Sequence, residues 1–364
     1  MVNNLTLISF PYTTTIDQSI PLVYVDVTEL DRYLLLEDDD GISDLDWLND
    51  FKNDREIDKG YAGRKNRIGL TEADFIDVYL PRTNEDFREL WDLKAAEVFQ
   101  EIQLNPQSHI VFQSSLYGIF PWLLMPLPTG TPVIRLRPCT SIPPDLEFSE
   151  QICENGGLLV TEGSTNSHMS KDGLFGWNLA KEYLINSKLS IRGIENALDS
   201  SNATEINSAM MSRKYTLESP TNVSTKVIGG DENQSPSIWW NCSHGSEYGI
   251  QLSNKKDLRG DLVKHIARQK GIMDLAFLHS CYSLDYAHRY RILEHKIRSV
   301  IGHTGMADES IDVLYFEISF IDELEKGKNL GQAFFEARNK ISRNEPASGS
   351  FQLIGDPRII LLSQ

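Results

Sequence analysis

An imidazole followed by glycine, and a thiol set among small polar residues, stand directly after two apolar runs of the chain. Asn241-Cys242-Ser243-His244-Gly245 ends the run begun by Ile238-Trp239-Trp240, and Ser280-Cys281-Tyr282-Ser283 ends the run Ile272 to His279. If both runs are neighbouring strands, His244 and Cys281 share the rim beyond the strands' carboxyl ends, where open α/β sheets gather catalytic groups. The chemistry is then nucleophilic cysteine catalysis. Imidazole promotes thiolate formation, the thiolate attacks a carbonyl, and the imidazolium protonates the leaving amine. Gly245 removes a side chain where a substrate backbone would pass. Its amide and that of Cys281 are the candidate oxyanion donors, at roughly 3 kcal/mol per donor.

Other readings of these residues stay open. Taken singly, a cysteine at the end of an apolar strand is a small buried hydrophobe and a histidine beside it a satisfied polar group; only their joint placement favours function. Cys242-Ser243-His244 and His279-Ser280-Cys281 are also mirror-image pairs. Alternate residues of a strand share a face, so Cys242, His244, His279 and Cys281 together offer the ligand types of a structural zinc site. Such sites usually draw on turns with Cys-x-x-Cys spacing, whereas both pairs here emerge from apolar strands. His303, in Ile301-Gly302-His303-Thr304-Gly305, follows a third short strand and reads as a neighbour of the site. Asp356, in Gly355-Asp356-Pro357, reads as turn chemistry. The sequence holds no Gly-x-Ser-x-Gly elbow, phosphate-binding glycine loop or dinucleotide fingerprint, which excludes the enzymes built on them.

The elements that must position these residues alternate. Ser19 to Val27, His109 to Gln113, Pro132 to Arg137 and Leu158 to Val160 read as strands, as do a segment near Leu189 to Ile191 and the two runs above. Val300 to Gly302 and a last strand around Phe351 to Ile354 and Ile359 to Leu362 complete the set. Helices are expected from Thr28, after Asn84 with Phe87, Leu90, Trp91, Val98, Phe99 and Ile102 on one stripe, and around Trp177 to Leu184. Others are expected from Asn202, through Leu258, Leu262, Val263 and Ile266, from Ile311 to Gly327, and from Asn329. This is the rhythm of a mostly parallel sheet covered on both faces. Glu37 to Arg67 reads as exposed loop or irregular helix, and Lys214 to Pro236 as a mobile or cleavable surface loop. The acidic cluster Glu37 to Asp40 lacks the ligand spacing of a calcium loop.

With 364 residues the chain exceeds one small module. Its 35 Lys and Arg against 52 Asp and Glu give a net charge of −17, which repels phosphate backbones and anionic lipid and speaks against nucleic acid or a membrane as partner. The start lacks a secretion signal and no run has the length of a membrane span, so a cytoplasmic protein is expected. Four scattered cysteines do not make a disulfide framework.

The ordered set of landmarks resembles the CHAT domain, a branch of the caspase-like cysteine peptidases that includes separase. Cys242-Ser243-His244-Gly245 with Gly249-Ile250-Gln251-Leu252-Ser253, and Phe277-Leu278-His279-Ser280-Cys281-Tyr282-Ser283, resemble its His-Gly and Cys signatures. Val300-Ile301-Gly302, the helix ending at Lys326-Gly327, Gln332 to Arg338, and Phe351 to Pro357 follow in the family's order; Phe120-Pro121-Trp122-Leu123-Leu124 resembles a segment near its start. The match covers roughly the last 250 residues. It departs from the pattern at Ser243, where the family usually has glycine, and at Leu123, where an acidic residue usually follows the tryptophan.

The resemblance implies a three-layer caspase-like fold over residues 106–364; residues 1–105, which resemble no family, are expected to form an α/β or α+β extension that regulates or binds a partner. It implies His244 and Cys281 as a catalytic dyad acting without metal or cofactor on a specific protein. It further implies control by a protein partner or a processing event, and bacterial relatives act in defence systems. Family members differ in the residue they cut after according to pocket charge; Glu247 and Asp285 are the acidic candidates for a pocket that takes a basic residue. The alternative within the resemblance is a catalytically silent scaffold that binds a partner.

Overall fold

Apolar runs that do not alternate with polar residues suit strands buried on both faces. The computed structural model describes residues 14–37, 41–54, 56–58, 65–67, 70–150, 158–162, 198–199, 238–251, 257–259, 272–295, 297–307 and 311–361. Among them, nine strands form one sheet. They are β1 (Leu22–Asp26), β2 (His109–Gln113), β3 (Cys139–Ile142), β4 (Leu158–Glu162), β5 (Leu198–Asp199), β6 (Ile238–Cys242), β7 (Leu275–His279), β8 (Ser299–His303) and β9 (Phe351–Gly355). Their order across the sheet is β1-β2-β3-β9-β8-β7-β6-β4-β5. Every neighbouring pair is parallel except β8 with β9. That one antiparallel step divides the sheet into two parallel halves running in opposite directions.

Successive side chains of a strand point to opposite faces, and those of β6 to β9 sort into two cores accordingly. Trp240, Phe277, Ile301 and Leu353 join a cluster with α5 (Ile311–Glu325) and α6 (Leu330–Asn339), through Phe316, Phe320 and Phe334. Trp239, Ala276, Leu278, Val300 and Ile354 join a second cluster with α4 (Ser283–Arg289), through Leu284, Tyr286 and Ala287. The result is the expected three-layer α/β arrangement. Trp240 and Phe277, partners in the β6/β7 register, stack with ring centroids 4.0 Å apart. The first cluster also takes in α1 (Thr28–Leu34), α2 (Asp44–Asp54) and α3 (Glu85–Leu104) through Leu30, Leu48 and Trp91. Residues on both sides of position 105 therefore share one sheet and one core: β1 pairs with β2, and Thr15–Ile16 pairs with Ile359–Ile360.

Helix starts follow their side chains. Asn84 accepts from the Phe87 amide at 2.9 Å to open α3, and Asn329 accepts from the Gln332 amide at 2.9 Å to open α6. Gly355, at φ 103°, and Asp356 make the expected turn, in which Asp356 accepts from the Arg358 amide at 2.9 Å and pairs with Arg298 and Arg358.

Three expectations are corrected. Pro132 to Arg137 is not a strand but one helical turn, Val133–Leu136, which Pro132 precedes in extended conformation. The strand is Cys139–Ile142, wholly buried and too short for a pattern to show. Within Glu37 to Arg67 lies a regular helix, α2, opened by reciprocal bonds between Ser43 and Asp46. The helix read through Leu258 begins as a strand, Asp257–Arg259, the third of a small antiparallel sheet with Gly245–Ser246 and Gly249–Gln251. The rest of that helix, the segments expected around Trp177 to Leu184, Leu189 to Ile191 and Asn202, and the Lys214 to Pro236 loop lie outside the described residues. No helix among the described residues is long and apolar enough to cross a membrane.

His109, at the start of β2, is 1% exposed, and burial lowers its pKa from 6.5 to about 4, with Asp17 and Asp356 opposing. Because the folded state resists protonation, stability present above the unfolded pKa is lost as pH falls from 6.5 towards 4. His109→Phe removes this titration. From about pH 7.5 to about pH 5 the variant should gain about 2 kcal/mol on the wild type in urea unfolding. A pH-independent difference between the two would sink the assignment.

Candidate active site

Parallel pairing sets the level of the two functional turns. Cys242 is the register partner of His279, so β6 and β7 end side by side, and the Ser243 amide donates to the His279 carbonyl at 3.1 Å. His244 lies two residues beyond one strand and Cys281 two beyond the other, both half-buried. Gly245 sits against the cysteine turn. A Cβ there would lie 2.6 Å from the Cys281 carbonyl oxygen and 3.0 Å from the Ser280 hydroxyl. The expected juxtaposition of the His-Gly and Cys turns is thus present, and the absence of a side chain at Gly245 permits it.

The thiol environment separates the described cysteines. Cys139 and Cys242 are buried, Cys281 is not. Burial pushes the Cys139 thiol well above the ordinary range, with Arg338 opposing. The Cys281 sulfur accepts the Ala307 amide at 3.4 Å.

The turn that carries Cys281 is a sharp strand-to-helix connection. Tyr282 adopts the left-handed conformation, φ 55°, at a cost of roughly 1–2 kcal/mol for a residue with a side chain. It is held by its amide bond to the Gly305 carbonyl and by the Tyr286 amide on its own carbonyl. The Ser283 hydroxyl then ties two strands together, donating to the Leu278 carbonyl at 2.9 Å and accepting from the His303 amide at 2.8 Å. Gly302 makes room for it, since a Cβ there would lie 2.5 Å from the Ser283 oxygen.

The other candidates divide. His279 and His303 point into the first core behind the rim. His279 Nδ1 meets Glu317 Oε1 at 2.6 Å, and His303 Nδ1 lies 3.1 Å from the Ser350 hydroxyl. Burial first, then His279 and Arg338, hold the His303 pKa well below the ordinary imidazole value. The zinc alternative lacks its arrangement: among the described residues, no group of three His, Cys, Asp or Glu side chains is placed to hold a metal ion.

Glu247 and Asp285 lie near enough to interact, and each has a cation of its own chain. Glu247 pairs with Arg289 at 2.7 Å. Asp285 accepts the Gly305 amide at 3.4 Å and faces the charge of Lys52. Burial raises the Asp285 pKa to about 6, with Lys52 opposing and Glu247 reinforcing. Sequence reasoning missed Lys52, Arg289 and Ala307. Only Arg289 had a local signal, an exposed helical cation following an acidic turn.

No family model and no curated protein matches the sequence. Among solved structures, the crystal structure of the Arg specific cysteine proteinase gingipain R (RgpB) is similar at 10% identity and TM-score 0.48, over 96% of this chain and 80% of that one. The complex of Porphyromonas gingivalis RgpB pro- and mature domains is similar at 10% identity and TM-score 0.47, over 94% of this chain and 79% of that one.

Proposed function

We propose that the chain is a cysteine endopeptidase of the caspase-like CHAT type, with His244 and Cys281 as its catalytic dyad. One observation carries the reading: two parallel strands in register end in a His-Gly turn and a Cys turn, and Gly245 packs on the Cys281 backbone. In this mechanism His244 takes the thiol proton as the Cys281 sulfur attacks the scissile carbonyl. The Gly245 and Cys281 amides receive the oxyanion. Collapse of the tetrahedral intermediate breaks the C–N bond, and the imidazolium returns the proton to the leaving amine. Water, deprotonated by His244, then attacks the thioester, and the thiolate leaves to be reprotonated. No step uses a metal or a cofactor. A specific protein substrate, control by a protein partner or by processing and a role in bacterial defence rest on the family resemblance. A basic residue in the pocket would have to compete with Lys52 and Arg289 for Asp285 and Glu247.

The test is mass spectrometry after brief treatment with peptide acyloxymethyl ketones ending in Arg, Lys, Asp, Asn or Leu. A single adduct on Cys281 that is lost in His244→Ala is the expected result. Equal labelling in His244→Ala, or no ketone adduct on a Cys281 that iodoacetamide still modifies, overturns the proposal.

A further inference from the structure

Lys52 has no part in the dyad, yet its surroundings lead to it. It stands in the last turn of α2 and is 2% exposed, where a lysine would ordinarily carry its ammonium to water. Here the stem turns inward. Its Cβ and Cδ lie 3.6 Å from where a Cβ on Gly305 would be, and Nζ donates to the Ile119 carbonyl at 3.5 Å. A buried ammonium is costly without a counter-charge. Asp285, in the first turn of the helix that follows Cys281, supplies it.

From Asp285 the contacts run to the sulfur. Asp285 accepts the Gly305 amide, the Gly305 carbonyl accepts the Tyr282 amide, and two residues on the Ala307 amide donates to the Cys281 sulfur. Gly305 takes φ 95°, a conformation that favours glycine. The Thr304 amide anchors the loop's start on the Ser350 carbonyl at 2.8 Å. An N–H donated to sulfur favours the thiolate over the thiol.

We propose that Lys52 is a positioning residue for the nucleophile: with its stem packed beside Gly305 and its charge facing Asp285, it holds the Thr304 to Ala307 loop so that the Ala307 amide stays on the Cys281 sulfur. This rests on reading Cys281 as the nucleophile. It assigns to α2, more than two hundred residues earlier in the chain, a hold on thiol reactivity exerted through that loop. Burial lowers the Lys52 pKa and raises that of Asp285, and each opposes the shift of the other, as facing opposite charges do. Glu247, the other acid acting on Asp285, is itself paired with Arg289.

The experiment measures the rate of iodoacetamide alkylation of Cys281 in the full chain between about pH 5 and pH 10, read by mass spectrometry, which brackets an ordinary thiol. The proteins are wild type, Lys52→Met, Asp285→Asn, the double variant and His244→Ala. The double variant leaves no unpaired buried charge, so a folded protein is available even if a single variant is not. Lys52→Met and Asp285→Asn should each slow alkylation about tenfold at pH 7 and move the midpoint of the profile up about one unit, the worth of one charge-assisted hydrogen bond. The double variant should be no slower than either single, because both act through one loop. Lowered melting temperatures with an unchanged Cys281 profile in the double variant overturn the proposal. If His244→Ala shifts the profile and the Lys52 variants do not, the dyad stands and the positioning role falls; if none shifts it, both fall.

Discussion

Cys281→Ala will abolish peptide-bond cleavage, by at least about three orders of magnitude in kcat/KM, while the protein stays folded. The sulfur is the only atom of the proposed mechanism that bonds to substrate, and loss of a nucleophile removes the covalent route entirely, leaving what binding and oxyanion stabilisation can do. Stability should change by less than about 1 kcal/mol, because the side chain is small and half-buried and its bond from the Ala307 amide is weak. Cys242→Ala provides the contrast. Cys242 is buried on the core face of β6, so its loss should cost about 1 kcal/mol or more of stability and leave activity in place. Both proteins are to be compared on a quenched-fluorescence peptide library and by urea unfolding. Cleavage retained in Cys281→Ala would end the peptidase reading.

Gly245→Ala should produce the next largest loss, about a hundredfold in kcat/KM. The added methyl would lie 2.6 Å from the Cys281 carbonyl oxygen, a backbone atom with no rotamer to escape into. The two turns must separate by several tenths of an ångström, and displacements of that order between reacting groups commonly cost about 10²-fold. The Cα pairing of Cys242 with His279 lies beneath the turns, so the strands themselves should hold, with a stability change of about 1 kcal/mol. Gly355→Ala separates the two kinds of glycine. There the Cβ would lie 2.1 Å from the Arg298 carbonyl oxygen at φ 103°, in the turn that closes β9, and the damage should appear as lost stability. A Gly245→Ala enzyme with wild-type kcat/KM would show that the contact between the turns is incidental to catalysis.

Both turns were legible in the sequence because parallel strands buried on both faces read as unbroken apolar runs, and a histidine or cysteine at the end of such a run is conspicuous. The Asn84 and Asn329 caps were legible for an equally local reason: a side-chain oxygen three residues before the amide it accepts. What escaped was tertiary. Val133 to Leu136 has the β-branched residues of a strand, yet after the extended Pro132 it closes one helical turn, with the Arg137 amide donating to the Val133 carbonyl. Cys139 to Ile142 shows no pattern because all four residues are buried. Lys52 looks like any surface lysine in a polar stretch; the Ile119 carbonyl and the charge of Asp285, both far along the chain, make its burial tolerable. The pairing of Glu247 with Arg289 is hidden in the same way, since it depends on a turn and a helix meeting in space.

The single antiparallel step between β8 and β9 has a practical side. Because the two halves of the sheet run in opposite directions, Cys242, His279 and His303 end at one edge, and Asp26, Gln113 and Ile142 end at the other. A strand of five residues puts about 16 Å of rigid sheet between those edges. Asp26, exposed at that second edge, is therefore an attachment point. A dye, a tether or a solid support fixed there stands a strand's length from the ends of β6 and β7 at Cys242 and His279.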